Sequence, residues 1–187
     1  VKLGFAVEAE GNDGLKPDSE GLVEIPCWRH AVINFPHPLL EQGLVILDTP
    51  GLNAIGAEPE LTLSQLPNAH AILFILAADT GVTQSDLAVW RDHVNGAQTR
   101  QKGRIAVLNK IDGLWDGIRS EAEIEGEILR QVRSTSEILE LDAEHVFPVS
   151  AQKGLLAKIS RDDGLLAKSR LLKLEQALTD ELIPAKQ

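Results

Sequence analysis

Runs of aliphatic residues punctuate the chain: LVIL at 44–47, AILFILA at 71–77, RIAVL at 104–108 and VFPV at 146–149, with AVINF at 31–35 as a shorter candidate. Continuous runs, rather than alternating ones, predict strands covered on both faces, as in a parallel sheet. Between the runs the apolar spacing becomes helical. The stretch 85–94 carries Leu87, Val89, Trp90 and Val94, with Thr83 or Ser85 as N-cap. The stretch 119–141 carries Ile124, Ile128, Val132, Ile138 and Leu139, and 165–182 carries Leu171, Leu172, Leu174, Leu178 and Leu182. Strands alternating with helices predict an α/β fold, a three-layer α/β/α sandwich on a mostly parallel sheet with right-handed crossovers. Residues 1–26 give no clear period, and GNDGLKPDSEG at 11–21 reads as a loop. We expect a single domain over 1–187, incomplete at its N-terminal side. Ligands of such sheets sit beyond the carboxyl ends of the strands, so the residues just after each run are where chemistry is sought.

Three such places carry a pattern. After LVIL comes Asp48-Thr49-Pro50-Gly51. A carboxylate leaving a buried strand can hold Mg²⁺ through a water, and a glycine three residues on lets a backbone N–H approach a phosphate. After RIAVL comes Asn109-Lys110-Ile111-Asp112. A carboxylate at Asp112 can accept from both N1–H and the 2-amino group of guanine. Adenine offers an acceptor at N1 and no 2-amino group, so it would leave that charge unpaired. Lys110 can lay its stem along the base, and Asn109 can tie neighbouring loops and touch the purine N7. After VFPV comes Ser150-Ala151-Gln152-Lys153-Gly154, where a backbone N–H, that of Ala151, can donate to guanine O6. Taken singly, each segment is also what an ordinary turn or a helix cap at Ser150 would look like. Together they stand in the order metal and phosphate, base, base, each at a predicted strand end. Asp48 and Asn109 are 61 positions apart, room for a strand, its helix and the next strand.

Composition narrows the partners. The 187 residues are 43% hydrophobic, enough for a real core, and carry a formal net charge of -10. That surface disfavours adhesion to nucleic acid or anionic lipid, so neither is expected of this domain. One cysteine, Cys27, excludes an intrachain disulfide and fits a reducing compartment such as the cytoplasm. The longest apolar run is about half of the ~20 residues a membrane helix needs. A first residue of Val1 and the lack of any Met lead us to expect a longer parent protein.

With DTPG, NKID and SAQKG in place, residues from about 30 to 182 resemble the P-loop GTPase family. DTPGLNAIG from Asp48, HAILFILAADTGVTQSDLAVWRDHV from His70 and NKIDGLWD from Asn109 are similar to its bacterial dynamin-like members. The resemblance implies GTP or GDP as ligand with Mg²⁺ as cofactor. It implies nucleotide contacts at Asp48, Gly51, Asn109, Lys110, Asp112, Ser150, Ala151 and Gln152, with Asp48 on the metal side. It further implies GTP hydrolysis by the full-length protein, and a switch in which the loop 52–66 changes its order. Self-association, and membrane work by segments outside this chain, complete the expectation and would place the parent protein peripherally at a membrane.

The chain also departs from the family. No G-x-x-x-x-G-K-[ST] occurs in it, so the phosphate cradle and its lysine are expected upstream. No switch-I threonine is identifiable, and residues 1–26 hold no threonine. Leu52 stands where many small GTPases carry a water-orienting glutamine, and an aliphatic side chain cannot orient water. No catalytic residue is therefore named. The five histidines show no metal spacing on a helix face and read as structural or solvated, and Cys27 reads as packing. Two other readings remain: a ribosome-associated or regulatory GTPase, and a scaffold that keeps the fold without hydrolysis.

Overall fold

The computed structural model describes residues 4–8, 22–26, 31–49, 65–95, 103–115 and 117–182. It divides into two compact units, 1–65 and 66–187. Gly51, Cys27, the loop at 11–21 and most of 52–66 lie outside the described residues.

In the first unit, β1 (Gly4–Glu8) and β2 (Leu22–Pro26) pair antiparallel, Gly4 opposite Pro26 and Glu8 opposite Leu22. No alternation in the sequence signalled this pair. A short helix, α1 (Pro38–Glu41), starts where Pro38 supplies a preset φ and His37 Nδ1 accepts from the Leu39 N–H at 3.3 Å. The strands expected at 31–35 and 44–47 are not formed. Both stretches lack regular structure, and Val45 is 88% exposed. A strand exists only where a neighbour takes its N–H and C=O groups, and among the described residues neither stretch has such a partner.

The second unit is the expected parallel sheet. Its strands are β3 (Ala71–Ala77), β4 (Gly103–Asn109) and β5 (Val146–Pro148), in the order β3-β4-β5. Ala77 pairs with Asn109, and Leu108 with Pro148, so β3 and β4 end level and β5 ends one pair short. Central β4 is the most buried element, with Ile105, Ala106, Val107 and Leu108 at 2% exposure or less. Successive residues of a strand face opposite sides, and the core divides accordingly. Ala106 and Leu108 join Ile72, Leu76, Trp90, Ile124, Ile128 and Leu139 on one face. Ile105 and Val107 join Val149, Leu174 and Leu178 on the other. Helices on both faces make three layers, so the chain has the α/β/α class its sequence predicts.

On the first face lie α2 (Gln84–Val89), a π turn over Trp90–Val94, and α3 (Glu121–Leu139). Both helices start in capping boxes, Thr83 with Asp86 and Ser120 with Glu123, each satisfying two orphan amides. The π turn carries Trp90 into the core, where its indole N–H donates to the Leu139 carbonyl at 3.0 Å. Its ring lies 5.2 Å from that of Phe74. On the other face α6 (Leu171–Leu182) covers the sheet, preceded in the chain by α4 (Ala151–Ser160) and α5 (Asp163–Ser169). The sequence pattern ran one helix through 165–182. The chain instead breaks at Arg170, which is left-handed with φ 60. Asp162 caps α5 through the Leu165 N–H, while the Ser169 hydroxyl turns back to the Leu166 carbonyl and ends it.

Trp90→Phe keeps the ring but strands the Leu139 carbonyl in the core. Urea denaturation should show a loss of about 1–3 kcal/mol, the usual cost of a buried polar group left unpaired. An unchanged midpoint would show that this bond does not anchor the end of α3.

Candidate functional site

Two of the three predicted segments leave the sheet side by side. Residues 109–112 follow β4, and 149–152 follow β5, its parallel neighbour. The Val149 N–H still donates to Leu108 O at 2.9 Å, and the Ile111 N–H donates to Val149 O at 3.3 Å. The ladder thus runs past the strand ends and seats both loops on one carboxyl edge.

Asn109 binds this edge together. Its side-chain Oδ1 accepts from the Lys110 N–H at 2.8 Å and from the Ala151 N–H at 3.1 Å. Its backbone carbonyl accepts from the Ala78 N–H, just after β3, at 2.8 Å. The loop-tying role expected of Asn109 is what this geometry provides. With Oδ1 held by two donors, the other end of the amide is an NH₂, the group needed to meet an acceptor such as purine N7. The Ala151 N–H, the expected donor to guanine O6, is engaged by Asn109 here, so a base would have to share it.

Lys110 is exposed and left-handed, φ 68 and ψ 31. Non-glycine residues in that region store strain of order 1 kcal/mol or more, and strain of this kind gathers where a loop must aim a group. It sends the chain into a 3-10 turn over Ile111–Leu114, with Ile111 buried beneath and Asp112 half-buried above.

Asp112 does not stand alone. The Ser150 hydroxyl, fully buried, donates to Asp112 Oδ1 at 2.6 Å. That same oxygen of Ser150 accepts from the Lys153 N–H at 3.3 Å, so the residue caps α4 and orients the carboxylate at once. The helix cap that the sequence offered for Ser150 is therefore formed, and the same hydroxyl also holds the Asp112 carboxylate. A carboxylate has about four lone-pair positions, and the serine occupies one. Ala151 and Gln152 are exposed in the first turn of α4. The turn after Asp112 is braced by Trp115, whose ring lies 4.9 Å beneath the ammonium of Lys168 on α5.

Asp48 is exposed at the end of the 44–47 run and belongs to the first unit, and Gly51 lies outside the described residues. His145 shares one turn with Asp142 and Glu144, their ligand atoms within 4.8 Å of one another. That turn precedes β5 and so lies at the opposite edge from the loops above. Two features of the site were missed in the sequence: the Lys168–Trp115 contact, and Ser169, whose carbonyl receives the Ser150 N–H at 2.9 Å. Neither has a local signal, since both join different elements, 19 and 53 residues apart in sequence.

Loops that follow adjacent parallel strands, carrying an oriented carboxylate and an oriented amide, define an α/β domain built to hold a ligand at its carboxyl edge. Sequence comparison makes the class specific. A model of the Dynamin family matches residues 9–111, more than half of the chain, and the chain belongs to the dynamin family. It is 32% identical over 104 residues to a bacterial dynamin-like protein of Nostoc punctiforme, covering 56% of this chain and 14% of that protein. It is 33% identical over 148 residues to a probable transmembrane GTPase FZO-like protein, chloroplastic, of Arabidopsis thaliana, covering 76% of this chain and 15% of that protein. The chain thus spans about a seventh of the length of these relatives. Among solved structures it is similar to Era of Aquifex aeolicus bound to GDP·AlF₄⁻, at 24% identity and TM-score 0.37, over 55% of this chain and 31% of that one. A structure of Era with MgGDPNP and a 16S ribosomal RNA segment has TM-score 0.41, at 23% identity over 61% and 37%. Overlap at that level places no residue of this chain.

Ser150→Ala removes a helix cap and the carboxylate's partner together. Denaturation should show about 1–3 kcal/mol lost, near the upper range for a single cap. A loss confined to a few tenths would mean that the Ser150–Asp112 bond does not hold the two loops.

Proposed function

We propose that this domain reads guanine with the edge formed by Asn109, Lys110, Asp112, Ser150, Ala151 and Gln152, and that the full-length protein binds and hydrolyses GTP. One observation carries the reading: a half-buried carboxylate, oriented by a buried hydroxyl, stands beside an amide whose free end is a donor. Guanine presents two adjacent donors, N1–H and the 2-amino group, and an acceptor at N7. The carboxylate matches the first pair and the Asn109 amide matches the third. Membership of the dynamin family and a relative named as a GTPase support the same ligand.

In this reading Asp48 stands on the metal side. Mg²⁺ prefers oxygen ligands, keeps several waters, and is held through one or two carboxylates plus substrate phosphates. An exposed carboxylate that follows an aliphatic run fits that donor chemistry. The ion would neutralise charge developing on the phosphates, and Gly51 would offer its amide to the terminal phosphate. Leu52 cannot orient the attacking water, so that task falls to the phosphate loop expected upstream or to a second copy of the protein.

The relative named as a transmembrane GTPase supports a role at a membrane for the full-length protein. Among the described residues no helix is long and apolar enough to cross a membrane, and the net charge of -10 opposes direct contact with anionic lipid. The proposal assigns membrane contact to segments outside this chain and includes self-association of the protein. The same charge disfavours nucleic acid as a partner, and a cytoplasmic location is part of the same proposal.

Two measurements test the reading. Asp112→Asn in the full-length protein should move preference from guanine toward xanthine nucleotides. An amide donates to the xanthine 2-oxo group, whereas the carboxylate would repel it. An unchanged preference in competition binding would remove Asp112 from the site. Separately, the 187-residue chain should bind GDP at least about 100-fold more weakly than the full-length protein, because the phosphate cradle supplies several charge-assisted bonds of about 1.5–3 kcal/mol each. Equal affinity by calorimetry would overturn the upstream assignment of the cradle.

A further inference from the structure

The carboxylate at 112 is held from behind as well as from beside. Ser150 uses every polar group it has. Its hydroxyl serves Asp112 and the Lys153 N–H, and its carbonyl accepts from the Gly154 N–H at 2.9 Å. Its own N–H donates to the carbonyl of Ser169, at the joint between α5 and α6. Ser169 is as deeply buried as Ser150, with none of its surface exposed. The Ser169 hydroxyl is spent on the Leu166 carbonyl at 2.6 Å and accepts from the Leu171 N–H at 3.3 Å. The Ser169 hydroxyl is therefore satisfied within the joint, and the Ser169 carbonyl links the joint to the residue that orients Asp112.

The approach of the joint to α4 is close enough to require a glycine. A Cβ on Gly154 would stand 2.7 Å from Leu171 Cδ2, 2.9 Å from Leu171 Cβ and 3.0 Å from Ser169 Oγ. Leu171 Cβ is bonded to the backbone, so the joint cannot yield by turning one side chain. Beyond the joint, α6 seats Leu174 and Leu178 on Ile105, Val107 and Val149, the far face of the same strands. Arg170, the left-handed hinge residue, pairs with Glu125 on α3.

We propose that Gly154 and Ser169 are positioning residues for guanine selectivity: the α5–α6 joint sets the height of Ser150, and through it the aim of Asp112. A displacement of α6 would then be felt at the base before it is felt anywhere else at the ligand edge. This rests on the base-reading role of Asp112 proposed above, and extends it to a helix that touches no nucleotide.

The test is the ratio of affinities for GDP and IDP, measured by calorimetry on the full-length protein. IDP lacks only the 2-amino group, so the ratio reports how well the carboxylate receives that group, while general loss of fold lowers both affinities alike. Gly154→Ala pushes the joint away without deleting a hydrogen bond, and Ser169→Ala loosens it without adding bulk. Each should lower the GDP preference about tenfold or more, the share carried by one hydrogen bond to a charged group. Leu178→Ala weakens α6 away from the joint, and should lower the melting temperature while leaving the ratio as in the wild type. The proposal is overturned if both joint variants keep the wild-type ratio, or if Leu178→Ala lowers it equally. Asp112→Asn separates the two levels. If it leaves the ratio unchanged, the base assignment itself fails; if it removes the GDP preference while both joint variants retain it, only the coupling fails.

Discussion

A hydroxyl with no access to solvent donates a hydrogen bond to a half-buried carboxylate, and the two loops at the carboxyl edge keep their relation through that bond. Neither partner has an alternative. Without Asp112 the Ser150 hydroxyl would be a buried donor with nothing to serve, and without Ser150 the carboxylate would lose the contact that fixes its rotation. A hydrogen bond to a charged acceptor is short and about twice as strong as a neutral one, which suits a group that must hold its aim. The bond can form only because parallel pairing puts Leu108 beside Pro148, so that two segments far apart in sequence leave the sheet as neighbours.

The sheet underneath supplies the stiffness. β4 is covered on both faces, and its four central side chains have almost no exposed surface. A strand so enclosed cannot slide by one residue without exchanging the residues that face each core. Asn109 then copies this fixed register into the loops. It takes the amide after β3 on its carbonyl and the first amide of α4 on its side chain. Specificity for a base is a geometric demand, and the proposed reading lays it on the part of the chain whose side chains are most buried. The α5–α6 joint adds a second support from the far face, at the one backbone amide of Ser150 that the loops leave available.

The sequence made much of this readable, and the failures have physical causes. β3, β4 and β5 were visible because strands buried on both faces need unbroken aliphatic runs. The start of α2 was visible in part, since Thr83 is a strong cap. The run at 44–47 has the same composition but no described partner, and composition alone cannot state whether a partner exists. The single helix expected over 165–182 came apart at Arg170, where no glycine or proline warns of the left-handed turn. The break combines a local bond, from the Ser169 hydroxyl to the Leu166 carbonyl, with the tight seat against Gly154, which is a product of tertiary structure. Helix α4 escaped for a similar reason: its exposed Leu155 and Ile159 blur the helical stripe, and Gly154 sits in its first turn. The candidate residues after β4 and β5 were legible as chemistry. Which of them touch, and that Ser150 is both cap and carboxylate partner, were not.

The proposed site also divides its labour in a way that follows from stability. Base recognition falls on Asn109, Asp112 and Ser150, in the unit with the continuous parallel sheet and two packed cores. Phosphate and metal duties fall on Asp48 and Gly51, at the end of a run whose Val45, Ile46 and Leu47 are largely exposed. A switch must gain and lose contacts as the terminal phosphate comes and goes, so its parts are drawn from the less stable end of a structure. A selector must give the same answer in both states, so its parts belong at the stable end. In that light the two strained or buried devices at the carboxyl edge, left-handed Lys110 and enclosed Ser150, are costs accepted for constancy of aim. The link from Ser150 to the α5–α6 joint then has a specific meaning. It ties the base-reading part of the proposed site to α6, the helix with which this chain's described residues end.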